Sequence, residues 1–320
     1  MVETPIVPCP ALATLGTSEA DLGRHRLQLS RRQQSPPPLP LSDSSGTVEQ
    51  VTAYDFPSAV HVDLAGVDVV LVGDSVGMVV LGYDTTLPVT FDEILHHCRA
   101  IQRIVLGDKT PRLCAALPCY TWGVSTEEAQ RNAYRLLKEG SMEAVKLEGA
   151  DPSRAVQVEV LTKGGIAVMG HIGLTPQSYS TLGGFRAQGR RAAQAVELVE
   201  QAQRLEDAGV FAMVVECVPQ EVAREITERV SVPVIGIGSG PHTSGQVLVY
   251  HDLLGMMQHP HHAKVVPKFS KQYADVGVQI HAALKDFCKE VREEKFPAQR
   301  YSPYQMLKGE KDMFEEAMLK

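Results

Sequence analysis

One junction recurs along this chain and constrains the fold more than any other feature: a stretch of helical periodicity ends in glycine, and a continuous apolar run follows within a few residues. Gly66 precedes the run at 67–73, Gly140 the run at 141–149, Gly164 and Gly165 the run at 166–173, and Gly209 the run at 210–217. Glycine suits the left-handed position just past a helix, so each is a stop signal with a mechanism. The runs are unbroken rather than alternating, as expected of parallel strands covered on both faces. Strands are expected near 48–53, 68–73, 112–117, 144–148, 166–171, 211–217, 232–237 and 253–257. This alternation predicts an α/β chain folded as a (β/α)8 (TIM) barrel, with a doubly wound open sheet as the second reading.

The helix starts are also legible. Thr90 with Glu93, and Ser125 with Glu128, have capping-box spacing. Ile94, Leu95, Cys98, Ile101 and Val105 share one face of a helix within 91–106, and Val196, Val199, Ala202 and Leu205 predict another that closes at Gly209. An additional C-terminal helix is expected at about 270–295, carrying Tyr273, Val276, Ile280, Leu284, Phe287 and Val291. Those residues call for packing on the barrel or on a neighbouring subunit. The barrel domain is expected over 47–305, with a tail at 306–320.

Residues 1–46 have a different composition, with a Pro-rich stretch and a basic cluster at Arg24, His25, Arg26, Arg31 and Arg32. Such a segment cannot bury enough apolar surface to order itself and is expected to be disordered. Its Arg and Ser content fits an organelle presequence, whereas Glu3, Glu19, Asp21 and Asp43 run against one. The net charge of −7 excludes a broad nucleic-acid surface, and no apolar run is long enough to span a bilayer. Six cysteines without a CxxC pair fit a reducing compartment better than a disulfide scaffold.

Chemistry in such barrels sits at the C-terminal ends of the strands, and the polar residues collect there. Asp74 and Ser75 follow the second strand, Lys146 and Glu148 end the fourth, His171 the fifth and Glu216 the sixth. Three carboxyls, a lysine and a histidine on one rim suit a divalent cation and an anionic substrate. Taken singly, Asp74 can be an N-cap, His171 a structural hydrogen-bonding group, and Lys146 with Glu148 an ion pair. The Gly-rich segment 236–240 after the seventh strand can cradle a phosphate. His259, His261 and His262 lack further ligands for a metal, and Cys114 with Cys119 lacks a second pair for zinc.

The segments TAYDFPSA, LVGDSVGMVVLGYDTTLPVT, AVKLEG, GHIGLTPQS, GGFRAQGR, ECVP, IGIGSG and GQVLVYHDLLG cover most of 51–305. In order and spacing they resemble the ketopantoate hydroxymethyltransferase family, and VYHDLLGMMQHPHHAKVVPKF looks most like its plant, usually mitochondrial, branch. The resemblance implies metal-assisted transfer of a one-carbon unit from 5,10-methylenetetrahydrofolate to 3-methyl-2-oxobutanoate. It implies Asp74 as a ligand of Mg²⁺ or another divalent cation, Asp74 and Ser75 as keto-acid contacts, and Lys146 as the cation facing the substrate carboxylate. Glu148 then belongs to the metal site, His171 to the substrate site, and Glu216 is the proton acceptor. The expected assembly is a homo-oligomer, and the expected compartment mitochondrial, with cytoplasmic as the alternative. One departure stands out: the family's third strand ends Asp-Leu-Pro with the Asp a second metal ligand, and here Ala116 occupies that position. A catalytically impaired member retained as an oligomer subunit is therefore the second functional reading. The first strand is irregular too, because Glu49 and Gln50 interrupt its apolar run.

Overall fold

The computed structural model describes residues 46–102, 111–258 and 266–319. The expectations for the N-terminal extension, for Val105 and for the 259–262 histidines lie outside those residues. Eight parallel strands form one closed barrel in chain order. They are β1 Val48–Thr52, β2 Val69–Val72, β3 Arg112–Ala116, β4 Ala144–Glu148, β5 Ala167–Gly173, β6 Ala212–Glu216, β7 Val234–Ile237 and β8 Gly245–Leu248. The deciding pair is β1 with β8, in register from Val48 opposite Gly245 to Val51 opposite Leu248. That seam leaves no open edge and rules out the doubly wound sheet.

Alternate side chains serve two cores, which is why the strand sequences read as unbroken apolar runs. Val48, Val69, Leu71, Cys114, Ala144 and Met169 fill the barrel interior. Their neighbours Val70, Val72, Leu113, Ala115, Val145 and Leu147 face outward onto the helices. That outer layer includes α1 Phe56–Leu64, α2 Val76–Val79, α3 Phe91–Ile101, α4 Thr126–Glu139 and α5 Pro152–Lys163; after α6 Tyr179–Leu182, which buries no residue, it continues with α7 Ala192–Asp207 and α8 Gln220–Arg229. After β8 come α9 Tyr250–Leu253, α10 Val276–Arg292 and α11 Glu310–Met318.

Several local expectations change. The eighth strand lies at Gly245–Leu248, not 253–257, and Tyr250–Leu253 is helical. Gly245 permits the close seam, since a Cβ there would stand 2.2 Å from the carbonyl oxygen of Val48. At the head of α3, Thr90 and Glu93 form the full capping box, whereas Ser125 caps the amide of Glu128 without a return bond. On α7 the buried face is Leu198, Ala202 and Leu205, with Val196 exposed. Val196 is six residues from Ala202, which places it about 120° away around the helix. After α4 the left-handed residue is Ser141 rather than Gly140, although a Cβ at Gly140 would press to 2.7 Å from the Leu136 carbonyl oxygen. The Gly-rich turn after β7 is filled by the chain itself: Phe269 packs where a Cβ of Gly238 would stand, and Gln220 does the same at Gly240. Within one chain α10 does not pack on the barrel, because Gly277 is its one buried residue.

The irregular first strand is a regular barrel strand with unusual contents. Val48, Gln50 and Thr52 are buried, while Glu49 faces solvent. Gln50 is 1% exposed, and neither polar atom of its side chain has a partner among the described residues.

Candidate active site

Lys146 and Glu148 are two residues apart on β4, so the pleat sends both side chains inward. The same alternation brings Met169 and His171 of β5 inward, with Glu148 in register beside His171. Lys146 Nζ donates to Glu148 Oε1 at 3.1 Å and lies 3.1 Å from His171 Nδ1. On the other side of the ring, His171 Nε2 lies 3.2 Å from Glu216 Oε2. A ring that accepts from Lys146 at Nδ1 carries its proton on Nε2, facing Glu216, and a protonated ring carries one on each nitrogen.

Asp74 joins this group from the turn after β2. Gln177 is the clasp: its Nε2 donates to Asp74 Oδ2 at 2.8 Å and to the Leu117 carbonyl at 2.9 Å, and its backbone N–H donates to Glu148 Oε2 at 3.0 Å. Trp122 Nε1 in turn donates to Gln177 Oε1 at 3.3 Å. Ser75, next in chain, hydrogen-bonds the Tyr54 hydroxyl at 2.8 Å. Asp74, Ser75, Lys146, Glu148, His171 and Glu216 all line one cavity of about 370 Å³. Every sequence-selected site residue thus lines the same cavity.

The charges are strongly coupled. Burial raises the pKa of Asp74, Glu148 adds to that rise, and Lys146 and Gln177 offset only part of it. Burial also works against ionised Glu148, yet Lys146 and His171 outweigh it and hold that carboxyl down to about 2. Burial opposes the charge on Lys146, and Glu148 and Asp74 nevertheless keep it above the ordinary lysine range. His171 feels burial and Lys146 as lowering influences, but Glu148 and Glu216 leave it raised. Lys146 is therefore a permanent cation, and burial leaves Asp74 a weaker acid than Glu148.

Two backbone features aim Glu216. Cys217, immediately after it, adopts φ 52°, a left-handed conformation that costs a non-glycine residue about 1–2 kcal/mol. Gly173, with φ 90°, sits so close that a Cβ would lie 2.2 Å from the Glu216 carbonyl oxygen, which accepts from the Leu174 N–H. Ala116 ends β3 in register with Lys146. Two residues beyond the inward-facing Cys114, its methyl group also points into the barrel.

Among the described residues no three His, Cys, Asp or Glu side chains form a group able to enclose a metal. The donor set fits only a hard cation that takes one or two carboxylates and completes its shell from water and substrate, the habit of Mg²⁺ rather than Zn²⁺. Of the Asp74 carboxylate oxygens, Gln177 engages Oδ2 and leaves Oδ1 for such a cation.

Reading along the chain singled out neither Gln177, nor Tyr54, nor Asp252, although all three lie in the family-like segments. Their signal was positional: Tyr54 and Asp252 follow β1 and β8 by a few residues, where a barrel carries its loops.

A closed parallel barrel with a buried ring of ionisable groups over its C-terminal rim defines an enzyme of the (β/α)8 class with a small-molecule cavity. Residues 41–299 match the family model of ketopantoate hydroxymethyltransferase, and the chain belongs to that family. It is 56% identical over 264 residues to the 3-methyl-2-oxobutanoate hydroxymethyltransferase 1, mitochondrial, of Arabidopsis thaliana, covering 82% of this chain and 75% of that one. The corresponding mitochondrial protein of Oryza sativa subsp. japonica is 54% identical, over 84% and 73% of the two chains. The enzyme of Carboxydothermus hydrogenoformans is 47% identical, over 82% and 92%. Among solved structures, phosphonopyruvate hydrolase aligns with a TM-score of 0.50 at 12% identity, over 86% of this chain and 93% of that one. Oxaloacetate acetylhydrolase aligns with a TM-score of 0.50 at 11% identity, over 79% and 84%. At such low identity these two show the fold alone.

Proposed function

We propose that the chain is a mitochondrial 3-methyl-2-oxobutanoate hydroxymethyltransferase, opening pantothenate synthesis with 5,10-methylenetetrahydrofolate as the one-carbon donor. The carrying observation is the group of Asp74, Lys146, Glu148, His171 and Glu216 lining one cavity, in a chain 56% identical to a plant enzyme of that name. Lys146 is the fixed positive charge for the substrate carboxylate, and Ser75 offers a hydroxyl beside it. Glu216 takes the C3 proton as general base, while His171 at its far oxygen steadies the carboxyl in position. The enolate forms a carbon–carbon bond with the folate methylene carbon, water supplies the hydroxyl oxygen, and tetrahydrofolate leaves. A divalent cation held by Asp74, with Glu148 acting through water, would supply Lewis-acid stabilisation of the enolate. The apolar residues exposed on α10 support a homo-oligomer.

Ala116 favours a second reading, in which the chain is an impaired member serving as an oligomer subunit. Loss of the C3 proton of 3-methyl-2-oxobutanoate, followed by NMR in D2O with Mg²⁺ and then with folate, separates the two. The enzyme reading expects metal-dependent exchange that Glu216→Gln slows by about 10²–10⁴-fold. No exchange at any metal concentration, in a folded protein, leaves the subunit reading standing.

A further inference from the structure

The cavity holds another carboxyl that the chemistry above does not use. Asp252, on α9, is 7% exposed and lines the cavity. Its carboxyl has no hydrogen-bonding or ionic partner among the described residues, and burial alone raises its pKa to about 6. A buried carboxyl without donors is costly, and a fold tolerates one where a ligand brings the donors.

The surroundings narrow the ligand. Beyond the ionisable ring, Asp252 shares the cavity with Val247, Val249, Met257 and Phe269, an apolar sector suited to a flat ring. The Phe269 ring is set there by the glycine at 238, which leaves it room. Tyr54, which bonds Ser75, is within electrostatic reach of both Asp252 and Asp74, so this sector adjoins the keto-acid site. The keto acid itself cannot satisfy Asp252, because 3-methyl-2-oxobutanoate presents only acceptors and a like charge. The co-substrate can. A tetrahydropterin is planar over much of its area and carries two parallel donors on one edge, N3–H and the 2-amino group. Their spacing matches the two oxygens of a carboxylate.

Resting on the folate reading of the co-substrate, we infer that Asp252 recognises the pterin edge, its two carboxylate oxygens accepting from N3–H and the 2-amino group. This contact sets the orientation of the ring and so turns the one-carbon bridge toward the keto-acid site. Arg186 and Lys268, exposed on the same lining, suit the acidic tail of the folate at the cavity mouth.

The test compares tetrahydrofolate with its 2-desamino-2-methyl analogue, by calorimetry on the full chain with keto acid and Mg²⁺ present. The parent should bind tetrahydrofolate at least about tenfold more tightly than the analogue, the usual worth of a hydrogen bond to a charged group. In Asp252→Asn, which keeps the shape and loses one acceptor, that preference should fall to about twofold or less. A melting curve of the variant confirms that it is folded, and a preference ratio is insensitive to a general loosening of the site. A variant that keeps the parental preference, or a parent that binds both ligands equally, overturns the assignment and leaves folate as the donor. A parent that binds neither, in a protein that still exchanges the C3 proton, removes the folate reading and this assignment with it.

Discussion

Ala116 is a single methyl group at the end of β3, beside the strand that carries Lys146 and Glu148. It is fully buried, points into the barrel and stands beside Lys146 in the sheet register. An aspartate placed there would therefore face the interior, not the helices. Mg²⁺ needs few protein ligands, so its absence weakens a site built on Asp74 without removing it. Ala116→Asp is expected to lower the Mg²⁺ concentration for half-maximal C3 exchange by at least about tenfold, since even outer-shell losses cost that much. Superimposable titrations of the two proteins would show that this position is not where a metal ligand is missing. The residue scale is also where the sequence was hardest to read. Gln50 looked like an interruption of a strand and is instead an unpartnered amide sealed inside a regular one. Asp252 looked like one acid in a motif, and only its burial against the cavity distinguishes it.

At the scale of elements, β4 shows how a five-residue strand does two jobs. Val145 and Leu147 anchor it to the helices, while Lys146 and Glu148 meet inside the barrel. Deleting one partner strands the other, so Lys146→Ala should cost about 3–5 kcal/mol of stability as well as weaken keto-acid binding. Calorimetry on the folded variant reads the second effect, and melting curves read the first. The pH dependence has a definite sign. Glu148 drops from an ordinary 4.5 to about 2 in the folded chain, so its pairing is fully stabilising above 4.5 and is lost as pH falls toward 2. The gap in melting temperature between parent and variant should narrow across that window. Strands such as β4 were legible because their outward residues, here Val145 and Leu147, are apolar and a glycine closes the helix before them. The strand β8 was not, since Gly245 and the exposed Gln246 break the run that would announce it, and the apolar run at 253–257 starts only at the last residue of the helix Tyr250–Leu253. The capping of α3 was legible in full because Thr90 and Glu93 need only each other. The buried face of α7 depends on which side the barrel lies, which periodicity alone does not state.

At the scale of the whole molecule, α10 is the feature a single chain leaves unfinished. Ile280, Leu284 and Phe287 are 45–59% exposed at helical spacing, more apolar surface than a lone surface helix usually carries. Light scattering should therefore find particles larger than one chain, and Phe287→Glu combined with Leu284→Glu should shift them toward the monomer. A monomeric parent would assign that face to something other than self-association. The β1–β8 seam has a consequence of its own, in the order of events during synthesis. Val48 leaves the ribosome about 200 residues before Gly245, its partner across the seam, and domains generally begin to organise from the N-terminal end. Through that interval β1 is an unsatisfied edge on a growing sheet, open to any other nascent strand. Its shortness, with Glu49 turned to solvent, is a guard for that interval: a charged edge of five residues makes a poor template for aggregation until the last strand arrives.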